Sequence, residues 1–440
     1  MLKKLICFML TVSIFMGACS SYHTPLETTN GLEEIDSAMG KDEETENIKM
    51  VSFVKPPHVS SWVSEFNGHH PDAKIEMIIG EGTEEDLWNS TMAELAAGKG
   101  PDIFCMRSGD ERIGTLYEKG ILAELDEYVP LEVKNQIFPG IIKTGCVEQE
   151  WVGLGVEGTP LIFITSDALW DKDSWNLENV ISIAQKNPNL EGLFVNLDFT
   201  YAVKSEPLSN AELLFENPYI FIDGNNKSQF ESKLFLESLE LLKKYKVRDF
   251  SKSELPDLLK EGKILGVYTR LYLPGDFVNT MNEYCHDGCH FVSMVGQEGY
   301  VGKWSGVYLI LINKNTKHVE EIRQFLEGIL DYDKQNGLDM TMSVREDVIR
   351  GKVSWREWSG KWEYNVGDKT FVPFMDPEGK SYLEEFISFL KNLGQSKDRN
   401  DAVYETVMEE VGDYLQTTKS ALDTAKTLNN RMELYLTENQ

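Results

Sequence analysis

The sequence predicts an α/β protein with a parallel sheet covered by helices, and three features of its first hundred ordered positions predict it. Short apolar runs recur at residues 50–54, 75–79 and 101–106. The stretches between them carry apolar residues at helical spacing. Turn residues separate the two kinds of segment.

The elements follow in order. Residues 50–54 read as a first strand, ended by Pro56-Pro57-His58. Trp62, Val63 and Phe66 then fall on one helix face. Ile75, Met77 and Ile79 alternate, which is a strand signal. Thr83-Glu84-Glu85-Asp86 has the form of a capping box. Trp88, Met92, Leu95 and Ala96 follow on one face of a helix, with Trp62 and Trp88 assigned to the core. Gly98 and Gly100 stop that helix, and residues 101–106 make a short buried strand. Further on, residues 152–165 form an extended apolar run, and a helical region starts near Leu177. Phe235, Leu239 and Leu242 mark a helix, residues 264–268 a strand and residues 306–312 another strand. Val319, Ile322, Phe325, Leu326, Ile329 and Leu330 make an amphipathic helix. The tail is helical through Val403, Val407 and Val411, and again through Ala425, Leu428 and Met432.

The chain has 440 residues, room for two or three domains. Its net charge of −29 repels phosphate backbones and excludes nucleic acid as a partner. It contains no GxSxG, no HExxH, no P-loop and no GxGxxG linking a strand to a helix. A binding protein without catalytic residues or cofactor is expected, and a surface enzyme using a carboxylate pair on glycans is the alternative.

Six cysteines are present, of which Cys7 lies in the N-terminal apolar run and Cys19 follows it after Gly17 and Ala18. Cys285-His286-Asp287-Gly288-Cys289-His290 places two thiols and two imidazoles in six residues. Zinc ligands usually come as two separated pairs, so a local disulfide or two free thiols is the reading here, and no metal is expected.

The N-terminus has the layout of a secretory signal: Lys3 and Lys4, an apolar run over residues 5–16, then Gly17, Ala18 and Cys19. Met16-Gly17-Ala18-Cys19 resembles the lipobox of bacterial lipoproteins, with Met where Leu is usual. That resemblance implies cleavage after residue 18 and a diacylglyceryl group on Cys19. Residues 19–48 are polar and acidic, and read as a flexible tether.

Several stretches together resemble the extracellular solute-binding proteins of ABC importers, in the branch that includes maltose-binding protein. They are Glu65-Phe66-Asn67 with His70-Pro71-Asp72-Ala73-Lys74-Ile75-Glu76, then Leu95-Ala96-Ala97-Gly98-Lys99-Gly100-Pro101-Asp102-Ile103-Phe104. Leu116 through Leu125, reading LYEKGILAEL, and Gly306 through Lys317, reading GVYLILINKNTK, continue the likeness, and residues 431–438 close it. Their order and spacing carry the resemblance more than any single motif. It implies a two-lobe periplasmic-binding-protein-like fold of type II, with discontinuous lobes joined by hinge strands and a ligand between them. The lobes would be 49–157 with 273–315, and 158–272 with 316–440. The chain would cross near 155–158, 271–277 and 313–316.

The family offers no catalytic residues; its ligands imply a site. Sugars present hydroxyls and a flat CH face, which proteins meet with aromatic rings and fixed polar groups. Trp304 lies in Gly302-Lys303-Trp304-Ser305-Gly306, a glycine-flanked loop before a strand, and is taken as a ligand ring, with the hinge as its other possible neighbour. Arg107 and Ser108 follow a strand of the parallel sheet, where ligands bind; a surface ion pair is the alternative for Arg107. His58 and Glu81 hold similar positions after the first two strands. The resemblance adds Arg270 and Tyr272 as ligand contacts, Glu157 at the first crossing, and Trp355 and Trp358 as late aromatics that stack on ligand or pack on the core. It also implies a carbohydrate ligand, ABC permease subunits as partners, a monomer, and attachment to the extracellular face of the membrane. A peptide or polyamine ligand, or a purely sensory role, are the other readings of the same chain.

Overall fold

The computed structural model describes residues 47–438 except 57, 81–82, 170–175, 198–202, 246, 286–287, 293–299, 339–340, 360–363, 367–368, 372–381 and 396–401, with backbone alone at 203–204, 354–359, 364–366 and 369–371. The signal segment, Cys19, the tether up to residue 46, Glu81, and the side chains of Trp355 and Trp358 lie outside this description.

Two sheets organise the chain. The first has five strands in the order Ile75–Ile79, Ile48–Ser52, Ile103–Arg107, Tyr308–Ile312 and Gly153–Gly155. Its first three strands are parallel, with Ile48 opposite Ile75 and Met50 opposite Ile103. Helices Val59–His69 and Glu84–Ala96 connect them, giving the strand–helix alternation expected from the sequence. The first helix buries Val59, Trp62, Val63 and Phe66, which are its apolar stripe. The second begins in the expected capping box: Asp86 N–H donates to Thr83 Oγ1 at 3.1 Å and Thr83 N–H to Asp86 Oδ2 at 3.2 Å.

The second sheet has the order Arg248–Phe250, Val203–Ser205, Gly192–Asn196, Ile264–Arg270, Thr159–Ser166 and Cys289–Val292, with Gly302–Ser305 also paired to Thr159–Ser166. All eight residues of Thr159–Ser166 are buried. Their side chains alternate between two apolar clusters. Ile162 and Ile164 face the cluster that continues into the first sheet, whereas Leu161 and Phe163 join one that includes Phe194, Leu239, Val407 and Leu428. The terminal helices Ala402–Gln416 and Ala421–Glu438 thus close the far side of the second sheet. Among the described residues no helix is long and apolar enough to cross a membrane.

The expected division into lobes needs two corrections. The resemblance assigns residues 273–315 to the first lobe, yet Cys289–Val292 and Gly302–Ser305 both pair with Thr159–Ser166 of the second sheet. They fill an edge of that strand which otherwise exposes unpaired N–H and C=O groups. The second crossing therefore falls at 306–307, between Gly302–Ser305 and Tyr308–Ile312. Residues 316–330 were assigned to the second lobe. Helix Val319–Ile329 instead folds back on the first, its Phe325 ring edge-on to Phe66 at 5.5 Å. The third crossing is carried by residues 341–344, where Met342 N–H donates to Gly158 O at 2.8 Å and Phe138 N–H to Val344 O at 3.0 Å.

One buried side chain ties these crossings together. Gln335 is fully buried, and its amide donates to Val156 O at 3.0 Å and Ile329 O at 3.2 Å. Its carbonyl oxygen accepts from Ser343 Oγ at 2.8 Å and Val344 N–H at 3.2 Å. Replacing it with Leu leaves three backbone groups without partners in a dry site. We expect Gln335→Leu to lower unfolding free energy by about 2 kcal/mol in a urea titration; a loss under about 0.5 kcal/mol would show that water takes over these bonds.

Candidate functional site

The carboxyl ends of strands Ile48–Ser52 and Ile103–Arg107 lead to the crossing segments, through His58 beyond the first and Ser108 beyond the other. Ligands of open α/β sheets bind at such strand ends, because the following loops are free to carry function. His58 stands just ahead of helix Val59–His69, its ring stacked on Trp62 with centroids 5.9 Å apart. Its Nδ1 lies 2.5 Å from Oε2 of Glu157, a residue of the first crossing that is fully buried. Thr341 Oγ1 donates to the same oxygen at 3.1 Å. One carboxylate oxygen therefore joins the first strand's end, the first crossing and the third crossing. The other oxygen, Oε1, is buried and has no partner among the described residues.

Arg107 ends strand Ile103–Arg107, exposed, opposite Tyr308. Ser108 is fully buried and its N–H donates to Val307 O at 2.9 Å; Val156 N–H donates to Tyr308 O at 3.3 Å. Arg107, Ser108, Tyr308 and Glu157 thus sit around the first two crossings. On the second sheet, Arg270 ends its strand opposite Leu161, and Leu271 N–H donates to Pro160 O at 2.8 Å. Tyr272 is half-buried, with its N–H on Asp276 Oδ2 at 2.9 Å. Lys303 also faces Leu161 from the other side, and its ammonium is paired with Glu216 in a nearly buried contact. Burial raises the Glu212 carboxyl above its usual range while Arg270 pulls it down, so Glu212 belongs to the same charged group.

Trp304 departs from expectation. It lies in a strand, not a loop, and is fully buried. Its ring meets Phe138 at 5.7 Å and stands opposite Pro160. A Cβ at Gly140 would come within 2.7 Å of the ring and one at Gly158 within 3.0 Å. The ring is wedged between helix Pro139–Thr144 and the first crossing, with no face open to a solute in this arrangement.

Residues not singled out from the sequence also stand here. Trp88, assigned to the core, is only half-buried. It packs edge-on against Phe53, just beyond the first strand, with the Arg112 guanidinium 5.9 Å from its ring and 4.7 Å from that of Phe53. Its place in the second turn of helix Glu84–Ala96, which overhangs the strand ends, was the available signal. Tyr308 and Thr341 gave none, because their neighbours are far away in sequence.

Cys285 caps helix Pro274–Tyr284 and Cys289 opens the next strand; both are free thiols. Burial pushes the Cys289 thiol up to about 11 and raises that of Cys285 further. Both are held protonated at neutral pH, the form that is a poor nucleophile and a poor metal ligand. His286 and Asp287, between them, lie outside the described residues.

The profile described as bacterial extracellular solute-binding protein matches residues 59–335. Among solved structures, the chain is similar to a putative oligosaccharide periplasmic-binding protein from Synechococcus sp. MITs9220, with a TM-score of 0.50, 10% identity, and coverage of 89% of this chain and 99% of that one. The sugar-binding protein MalE of Xanthomonas citri gives 0.49, 12%, 90% and 98%. An ABC substrate-binding protein from Listeria monocytogenes, solved with cycloalternan, gives 0.47, 14%, 89% and 99%. No curated protein matches the chain in sequence. The fold is the two-lobe, type II periplasmic-binding-protein arrangement, and at these identities the structural likeness speaks to the fold alone.

Proposed function

Because the chain belongs to the bacterial extracellular solute-binding proteins, we propose that it captures a carbohydrate at the converging strand ends and delivers it to an ABC permease in the membrane, to which Cys19 tethers it through lipid. The observation that carries the reading is the Glu157 carboxylate: buried, anchored through one oxygen to both His58 and Thr341, and unclaimed at the other. That oxygen is covered in this arrangement and is reached by a solute once the crossings pivot open; an acceptor without a partner is then satisfied by a donor such as a sugar hydroxyl. Arg107, Arg270 and Tyr272 supply further polar groups, and the half-buried Trp88 offers an aromatic surface for a sugar's CH face. Because these groups stand on both sides of the crossings, a pivot there closes them on the solute. Binding followed by release is the chemistry this arrangement suits.

Titration with mono- and oligosaccharides, followed by tryptophan fluorescence, tests the reading. We expect a saturable change with a Kd on the order of 1 μM, about −8 kcal/mol. Response to peptides or polyamines and to no carbohydrate would overturn the ligand class, and turnover of an oligosaccharide would replace binding with catalysis.

A further inference from the structure

At the other end of the first sheet, where its parallel strands begin, lies a cavity of about 690 Å³. That is a ligand-sized volume. It is remote from the strand ends described above, because its walls are built from Asn47 and Lys49, Gly100 and Asp102, and Asn313, which follows the antiparallel strand Tyr308–Ile312.

The charge of these walls is opposite to that of the molecule. Acidic residues outnumber basic ones 72 to 43 over the chain. Around the cavity stand Lys49, Lys99, Lys119, Lys317 and His318, against a single lining carboxylate, Asp102. Both oxygens of Asp102 are already engaged, by Lys49 N–H at 2.9 Å and Thr316 Oγ1 at 2.6 Å. The Lys314 ammonium lies beside Gly120, which the lining residues Lys119 and Ile121 flank in sequence. Some lysines elsewhere meet carboxylates: Lys134 meets Asp126, Lys303 Glu216, Lys334 Glu65 and Lys419 Glu410. Among the described residues Lys49, Lys99, Lys119 and Lys314 have no such partner. Lys49, Lys99 and Lys119 line one concavity together, so an anion entering it would be attracted by all three.

We propose that this cavity is a second binding site, taking a phosphate ester. Several convergent ammonium groups match an anion with more than one charge and several acceptor oxygens, and lysine serves phosphate as a point charge. The side chains of Met92, Leu95 and Ile121 form an apolar part of the wall that suits the carbon portion of an ester rather than a bare ion. A soluble sugar or glycerol phosphate and the phosphodiester headgroup of a lipid share this chemistry. The site stands independently of the proposed carbohydrate function, since no residue is common to the two.

The test compares the full chain carrying Cys19→Ser, which removes the lipidation position, with the same chain also carrying Lys99→Glu and Lys119→Glu. Both lysines are exposed, so reversal should leave folding intact, and Lys99→Gln with Lys119→Gln serves as a milder pair. Glycerol 3-phosphate is titrated by calorimetry, and vesicles of phosphatidylglycerol are compared with vesicles of phosphatidylcholine by co-sedimentation. We expect saturable binding to one probe, at least tenfold weaker in the reversed variant and weaker with added salt, with carbohydrate titration unchanged. Binding of glycerol 3-phosphate identifies a soluble ester; binding only to phosphatidylglycerol identifies a headgroup. Absence of binding to both, or binding insensitive to the lysine substitutions, overturns the proposal.

Discussion

Trp304→Ala should cost the folded protein about 4 kcal/mol in a urea titration, the range for removing a fully buried large ring. The ring bears on three residues of two segments: Phe138 and Gly140 at the start of helix Pro139–Thr144, and Gly158 at the first crossing. Collapse of the cavity is opposed from each side by backbone, so little of the loss is recovered. Trp304→Phe keeps an aromatic in the slot and should cost about 1.5 kcal/mol, which preserves a measurable protein if the alanine variant fails to fold. The pair separates two roles for the residue. If Trp304 is core, both variants lose stability and the Phe variant keeps its solute affinity. A variant as stable as the parent that no longer binds would restore Trp304 to the ligand site and refute its burial.

Trp304, whose ring packs at the crossing that was its other possible neighbour, shows where local sequence information ends. Its flanking glycines suggest a loop, but Gly302 is required for a close approach: a Cβ there would meet Leu161 O at 2.6 Å. Glycine in a strand and glycine in a turn look alike until the neighbouring strand is known. The same limit governs the lobe boundaries. Cys289–Val292 and Gly302–Ser305 bear no mark of which sheet they join; that is decided by the edge left on Thr159–Ser166, more than a hundred residues earlier. The first sheet was legible because its signals are local. Ile75, Met77 and Ile79 alternate, Thr83 and Asp86 form a cap within one turn, and the Val59–His69 stripe repeats at helical spacing. For the site, His58, Arg107 and Ser108 follow from the rule of strand ends, whereas Glu157 became a candidate through its predicted place at a crossing. Its partner Thr341 lies 184 positions away, and no local pattern connects them.

Glu157→Gln should weaken solute binding about 50-fold, or about 2.3 kcal/mol, while lowering stability by no more than about 1 kcal/mol. The asymmetry comes from the two carboxylate oxygens. Oε2 holds His58 and Thr341, and with the carboxylate as acceptor the His58 proton sits on Nδ1. Glutamine still offers one oxygen, and the ties to His58 and Thr341 orient it toward that pair. Its NH2 group then takes the position of Oε1, the oxygen without a partner among the described residues. The anchoring contacts survive in neutral form, and the unclaimed acceptor becomes a donor. A solute hydroxyl that donates there loses its partner and faces a competing N–H, which costs the full value of a charge-assisted bond. If Glu157 only braces the crossings, the amide serves nearly as well, and Kd stays within twofold of the parent. Parallel fluorescence titration and urea denaturation of the one variant therefore separate recognition from bracing: recognition moves Kd and spares stability, whereas bracing leaves Kd where it was and changes stability little.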